Sequence, residues 1–168
     1  MPDIVFESLH PEVAPPQRAT AGSAGYDLAA CLAGRTSRVW NAGVMRDVPS
    51  SAAGTLTLAP GEKALVPLGF KAQLPPGYEA QIRPRSGTSV KTDLVVANAP
   101  GTVDADYPDE WCVPVKNGGP LPLVIAHGDR IAQMVISRFE VLGFSVGTVG
   151  RSTDRAGGFG STGTGQPG

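Results

Sequence analysis

The chain has 168 residues, and its 22 glycines and 16 prolines together make up about 23% of it, nearly twice the usual share, which argues against a mainly helical protein. Hydrophobic residues (41%) are too frequent, and charged residues (17%) too rare, for a fully disordered chain. Fourteen basic against fifteen acidic residues give a net charge of −1, without the basic excess typical of proteins that bind long nucleic acids.

Short apolar segments separated by Pro, Gly, Asn or Asp follow one another along the chain. Alternation of apolar and polar residues at Thr55 to Leu58 and at Tyr78 to Arg83 predicts half-buried strands. Further strands are predicted, in chain order, at Ile4 to Leu9, Ala64 to Leu68, Leu94 to Ala97, Trp111 to Val115, Leu121 to Ile125 and Ile131 to Phe139. Short strands spaced by turns predict an all-β sandwich or barrel.

One segment, Gly87 to Thr92, is predicted to be a helix, with Ser86 as its N-cap. Such a helix would direct backbone donors toward Arg85 and Ser86, and a guanidinium, a hydroxyl and backbone amides together favour an anion site. A capped helix after a surface turn explains the same residues equally well.

The chain is interpreted as a single β domain at 1–154 and a flexible glycine-rich arm at 155–168. Within the domain, Ala33 to Gly54 lacks clear periodicity and is expected to be a surface insertion, either decorative or a binding loop. In the arm, hydroxyls, glycine amides, Arg155 and Phe159 suit a nucleotide, although a plain mobile terminus is the simpler interpretation.

No sequence feature predicts a membrane segment, a disulfide or a zinc site. The N-terminus lacks a basic start followed by an apolar stretch, and no run of about 18 apolar residues occurs. Cys31 and Cys112 are expected to be ordinary core thiols, and His10 and His127 are expected to be solvated, apart from one another and without a catalytic role. We expect a soluble, cytoplasmic protein with neither nucleic-acid nor membrane partners.

The most informative segment is NAPGTVDADYPDE, Asn98 to Glu110. Asp104 and Asp106 are predicted to lie on one strand face, since side chains two residues apart point the same way. Asp104 is the candidate general base for activating water. An acidic, solvent-facing hairpin end is the alternative. In GDRIAQMV, Gln133 is a candidate hydrogen-bond donor to a phosphate oxygen. The other interpretation of this segment is a buried strand with a purely structural role.

Five segments in order resemble the five motifs of the homotrimeric dUTPases: AGYDL, RPRSG, NAPGTVDADY, GDRIAQMV and GGFGSTG, spanning residues 24–163. The resemblance implies a jelly-roll-like β fold with one short helix and a homotrimer with shared active sites. It also implies Mg²⁺-dependent hydrolysis of dUTP to dUMP and pyrophosphate, which limits uracil in DNA and supplies dUMP.

By this resemblance, Asp104 is similar to the base that orients water toward the α-phosphorus. Tyr107 is similar to the residue under the deoxyribose that excludes a 2′-hydroxyl. Asn98, with backbone groups that include Gly101 and Val103, is similar to the uracil-binding site.

The remaining site residues also follow from the resemblance. The residues similar to the family's phosphate-binding site, which a second subunit supplies, are Arg85, Ser86, Gly87 and Gln133. Arg130 is expected to have a structural role. Asp27 resembles an acid near the water shell of a mainly phosphate-coordinated metal. The residues similar to the family's C-terminal arm, which a third subunit supplies, are Arg155, Phe159, Gly160, Ser161 and Thr162.

Two other functions are kept as alternatives. One is a dCTP deaminase of the same fold, alone or combined with dUTPase activity. The other is a non-catalytic, nucleotide-responsive regulatory trimer that docks a partner through the 33–54 segment. The sequence departs from the family pattern at Pro108 and Asp109, and only Ala156 separates Arg155 from the glycines that follow.

Overall fold

The computed structural model describes residues 3–150, which form thirteen β-strands and one short α-helix. In chain order they are β1 (Val5–Ser8), β2 (Gly25–Ala29), β3 (Thr36–Asn41), β4 (Val44–Pro49), β5 (Thr55–Leu58), β6 (Lys63–Pro67), β7 (Phe70–Gln73), β8 (Tyr78–Arg83), α1 (Ser86–Lys91), β9 (Leu94–Val96), β10 (Gly101–Val103), β11 (Cys112–Asn117), β12 (Leu123–Ala126) and β13 (Arg130–Arg138). The predicted all-β class with one short helix is confirmed. Within residues 3–150, no helix has the length and apolar character needed to cross a membrane.

The described strands pair into four antiparallel sheets. A four-stranded sheet has the order β10-β8-β13-β2, and a five-stranded sheet has the order β4-β3-β6-β11-β9. Two further pairs are β1 with β7 and β12 with β5. In the four-stranded sheet, Gln133 lies opposite both Asp27 and Arg83. This register brings β2 and β13 residues beside the segment that leaves β8.

One hydrophobic core joins the sheets. Leu28, Val39 and Val66 have no exposed surface, and Trp111, just before β11, is 2% exposed. The indole Nε1 of Trp111 donates to the carbonyl of Ala72 at 3.2 Å, so its polar atom keeps a partner inside the core. The loop between β10 and β11 is therefore anchored at its C-terminal end.

The helix begins one residue earlier than predicted. Its N-cap is Arg85, no side chain caps it, and Ser86 is its first residue, so the prediction of Ser86 as N-cap was wrong. A serine caps a helix only if its hydroxyl can accept from a later backbone amide while its own backbone stays extended. Here that extended conformation belongs to Arg85, at φ −95° and ψ 135°.

The 33–54 segment is an ordered hairpin, so the prediction of a loop was wrong. Its strands β3 and β4 pair from Thr36 opposite Pro49 to Asn41 opposite Val44, and β3 also pairs with β6. Ala42 and Gly43 form the turn with φ of 47° and 84°, the signs that a two-residue hairpin turn requires. Alternation had been obscured because β4, at the sheet edge, is almost entirely exposed.

The hairpin is tied to the body of the protein by an ion pair. Glu62, only 3% exposed, pairs with Arg46 of β4 at 2.7 Å and accepts the Ala59 amide at 2.9 Å. The hydrogen bond from Arg46 is the main cause that lowers the pKa of Glu62. Folding therefore favours the ionised carboxylate at this position.

We expect Glu62→Gln to lower the free energy of unfolding by up to about 1 kcal/mol at neutral pH, because Glu62 loses an ion pair that solvent screens at the half-exposed Arg46. Since the folded pKa lies below the ordinary value of 4.5, this contribution is complete above about pH 4.5 and disappears as the pH falls through the folded pKa. Urea unfolding of both proteins from pH 7 to pH 3 measures the difference. A difference that does not change with pH would contradict the ion pair's role.

Candidate active site

A cavity of about 430 Å³ lies where β2, β8 and β13 meet the start of α1. Arg85, Ser86, Gly87 and Gln133 line it together, although Gln133 is far from the others in the sequence. Arg83, which was not proposed as a site residue, lines it too. The cavity therefore collects four of the residues predicted to bind phosphate.

Asp27 holds two arginines at this cavity. Its Oδ1 accepts from Arg85 Nε at 2.6 Å, and its Oδ2 accepts from Arg130 Nη1 at 3.0 Å. Asp27 and Arg85 are each about three-quarters buried as side chains, whereas Arg130 is 59% exposed. The pairing with Asp27 agrees with a structural role for Arg130. Arg83 and Arg85 line the cavity beside the single carboxylate of Asp27, so its lining carries net positive charge.

Gln133 is positioned from two sides. Its Nε2 donates to the carbonyl of Pro84 at 2.9 Å, which ties β13 to the segment before α1. A β-carbon at Gly25 would overlap its Oε1, so the side chain occupies space that only glycine leaves open. Sequence analysis did not identify Gly25 as a residue that makes room for Gln133. The glycine in the AGYDL motif was the only sequence feature that pointed to it.

The second group of predicted residues lies on the hairpin that contains β10. Gly101 pairs opposite Ile82, and a β-carbon at Gly101 would come within 2.8 Å of Asn98 Nδ2. Asn98 therefore lies directly against the backbone of β10. Both Asn98 and Asp104 are exposed.

Asp104 and Asp106 do not share a strand face, so that prediction was wrong. β10 ends at Val103, and the carbonyl of Asp104 accepts the Tyr107 amide at 3.2 Å in the turn that follows. The strand ends at Val103 because the next residue, Asp104, uses its carbonyl for this turn instead of for strand pairing. Tyr107 is 41% exposed and donates from its hydroxyl to the carbonyl of Glu110 at 3.4 Å, and burial raises its pKa.

Within residues 3–150, Asp104 and the residues predicted to bind phosphate line different cavities. Asp104 lines a separate cavity with Gln73, Leu74 and Phe139. Val103 lies opposite Ala80, whereas Gln133 lies opposite Arg83, so the groups are offset by roughly 10 Å along β8. The predicted residues Arg155, Phe159, Gly160, Ser161 and Thr162 lie outside the described residues.

The two histidines lie side by side, so the prediction that they are apart and solvated was wrong. Their ring centroids are 5.5 Å apart, and His127 Nδ1 accepts the amides of Leu32 and Ala33 at 3.0 and 3.2 Å. Its Nε2 therefore carries the proton and donates to Glu12 at 3.0 Å. Ligand atoms of His10, Glu12 and His127 lie within 4.8 Å of one another, but an ion at His127 Nε2 would require the proton to move to Nδ1, which would break both amide bonds. They act as a structural clasp.

The cysteines fit the prediction of core thiols. Both are free, and Cys31 is buried. Burial is the main cause that raises the pKa of Cys31, and it raises the pKa of Cys112 to about 11. Neither thiol is therefore a nucleophilic thiolate near neutral pH.

The chain resembles known proteins in sequence. The family model described as dUTPase matches residues 47–163. A deoxyuridine 5′-triphosphate nucleotidohydrolase of Desulfotalea psychrophila is 42% identical over 149 residues, which cover 88% of this chain and 86% of that protein.

Solved dUTPase structures share the fold. A Staphylococcus bacteriophage 80alpha dUTPase with dUpNHpp has a TM-score of 0.75 and 23% identity, covering 97% of this chain and 99% of that one. A dUTPase from phage phi11 of S. aureus, described with a structural Mg(II) ion, has a TM-score of 0.70 and 22% identity, covering 90% and 100%. The dUTPase from Streptococcus mutans has a TM-score of 0.63 and 25% identity, covering 83% and 98%.

Proposed function

The chain belongs to the dUTPase family, and from this premise we propose that it hydrolyses dUTP to dUMP and pyrophosphate. The observation that carries the proposal is the cavity in which Arg85, Ser86, Gly87 and Gln133 come together. A guanidinium, a hydroxyl, a backbone amide and a carboxamide are donors suited to phosphate oxygens. The net charge of −1 agrees with a small anionic substrate held locally.

Asp104 is proposed as the base that orients water toward the α-phosphorus. An exposed carboxylate at a turn can reach a water molecule and accept its proton, and no covalent nucleophile is needed. Tyr107, on the same turn, is proposed to lie under the deoxyribose. Asn98, with the backbone at Gly101 and Val103, is proposed to bind uracil.

Arg85 is proposed as the main positive contact of the phosphates, with Asp27 holding it in place. Arg85 donates to Asp27 from Nε at 2.6 Å and from Nη2 at 3.3 Å, so its Nη1 lies outside this pair. Ser86, Gly87 and Gln133 add donors around the same cavity. Developing charge on the phosphates would be stabilised by these fixed groups.

Magnesium is proposed as the cofactor, held mainly by the triphosphate. The donor set agrees with this arrangement, because both oxygens of Asp27 already accept from arginines and leave little capacity for direct coordination. Asp27 would act through water in the ion's shell. The ion would neutralise phosphate charge, and it characteristically keeps several waters.

A homotrimer with shared sites is proposed, and two features of the described residues support it. Asp104 and Arg85 line different cavities in one chain. In addition, residues 139–150 expose apolar side chains, with Val141 and Leu142 at about 80% and Phe144 fully exposed. Such a surface is typical of one covered by another subunit.

The arm at 155–168 is proposed to complete the site from a third subunit. Its proposed contacts are Arg155 with the γ-phosphate, Phe159 and Gly160 with uracil, and Ser161 and Thr162 with the phosphates. The single β domain at 1–154 is proposed as the body from which it extends.

Measuring pyrophosphate release with Mg²⁺ from dUTP, dTTP, dCTP and UTP tests the function. We expect turnover of dUTP to exceed that of the other three nucleotides by at least about a hundredfold. A site that hydrogen-bonds the polar edge of uracil and leaves no room for a methyl group or a 2′-hydroxyl can discriminate strongly between them. Equal turnover of all four would reject the specificity. Ammonia release from dCTP would identify the deaminase instead, and no turnover of dUTP would reject the proposal.

A further inference from the structure

Glu110 connects the loop that carries Tyr107 to two other parts of the chain. Its Oε1 accepts the Gly69 amide at 2.9 Å, and its Oε2 pairs with Arg35 Nη2 at 2.6 Å. The side chains of Arg35 and Glu110 are 26% and 21% exposed. An ion pair that is mostly shielded from water restrains geometry better than a surface pair.

Arg35 stands at the base of the 33–54 hairpin, and its backbone is held on both sides. Its amide donates to the carbonyl of Leu32 at 3.0 Å, and its carbonyl accepts the Ser50 amide at 2.8 Å. The guanidinium therefore extends toward Glu110 from a defined point where the hairpin closes. The hairpin contacts the β10–β11 loop through this pair.

The restraint at Glu110 reaches Tyr107. The Tyr107 hydroxyl donates to the backbone carbonyl of Glu110. The next residue, Trp111, is buried and donates its amide to Phe70 at 3.0 Å. The loop is thus anchored at Glu110 and Trp111, and the hydroxyl of the exposed Tyr107 makes one long hydrogen bond, at 3.4 Å, to this anchored backbone.

We propose that Arg35 is a positioning residue for sugar selectivity, acting through Glu110 on the ring of Tyr107. This inference rests on the proposed function, in which Tyr107 lies under the deoxyribose. It gives the 33–54 hairpin a role in substrate choice rather than in docking a partner.

Loss of Arg35 would leave the Glu110 carboxylate without its countercharge. The side chain of Glu110 is only 21% exposed, so this carboxylate is largely shielded from water. A partly buried charge without a partner is unfavourable, and it gains by moving toward water. Such a movement shifts the backbone carbonyl that holds Tyr107.

Arg35→Met tests the proposal, because methionine keeps the aliphatic bulk and removes the charge. We expect the ratio of kcat/KM for dUTP over UTP to fall about tenfold, the size of a lost steric contact, mainly because kcat/KM for UTP rises when its 2′-hydroxyl is no longer excluded. The value of kcat should change less than about threefold, since Asp104 lies at the other end of the turn. Arg35→Lys should restore most of the ratio, because only one nitrogen pairs with Glu110.

Arg46→Met is the matched control. It removes an ion pair from the same hairpin, but Glu62, its partner, bonds to the amide of Asn117 at the end of β11 that is farther from the β10–β11 loop. We expect it to lower the melting temperature while leaving the dUTP to UTP ratio unchanged. An unchanged ratio in Arg35→Met, or an equal fall in both variants, would overturn the inference. Failure of the wild-type protein to hydrolyse dUTP would instead overturn the proposed function.

Discussion

Asp104→Asn should lower kcat for dUTP by roughly a hundredfold or more, the usual contribution of a general base. Asparagine keeps the size and the turn geometry but cannot accept a proton from water. Nucleotide binding should persist, because the proposed phosphate donors lie in another cavity. Steady-state pyrophosphate release gives kcat, and calorimetry with a non-hydrolysable dUTP analogue gives the dissociation constant.

Asp106→Asn is the control for this variant. Asp106 is an exposed carboxylate on the same turn, two residues from Asp104, and it lines the same cavity. It should keep turnover within a few-fold of the wild type, since we assign it no proton transfer. Near-normal turnover in Asp104→Asn would remove Asp104 from its proposed role, and equal losses in both variants would indicate a general effect of charge.

Mixing two inactive variants should restore activity if the site is shared. Asp104→Asn lacks the base and Arg85→Gln lacks the main phosphate contact, and one chain holds these residues in separate cavities. After equal amounts are denatured and refolded together, about one quarter of the sites should receive both intact residues from neighbouring subunits. Pyrophosphate release from the mixture should then approach one quarter of the wild-type rate.

Each variant refolded alone is the baseline, and sedimentation must show that both assemble like the wild type. If Asp104 and Arg85 act in the same subunit, random mixing leaves every site defective, and activity should stay at the baseline. That result, or a monomer at assay concentration, would overturn the shared site.

Sequence patterns located eight strands because their apolar residues alternate or cluster between turn residues. They missed β2, β3, β4 and β7, and they placed a strand at Asp104 to Asp106, just beyond β10. The segment of β4 was hard to recognise because an edge strand needs no apolar face. The histidine clasp was missed for a different reason, since His10 and His127 are 117 positions apart and only the chain's path brings them together.

From residue order alone came the fold class, the family resemblance and the list of candidate residues, because local periodicity and short motifs are properties of neighbouring residues. Tertiary structure decided which of those residues meet. Strand register put Gln133 opposite Asp27 and Arg83, and it put Val103, the residue before Asp104, opposite Ala80, about 10 Å farther along β8. The pairing of Arg35 with Glu110 was also invisible in the sequence, because an ion pair across 75 positions depends on folding that no local pattern encodes.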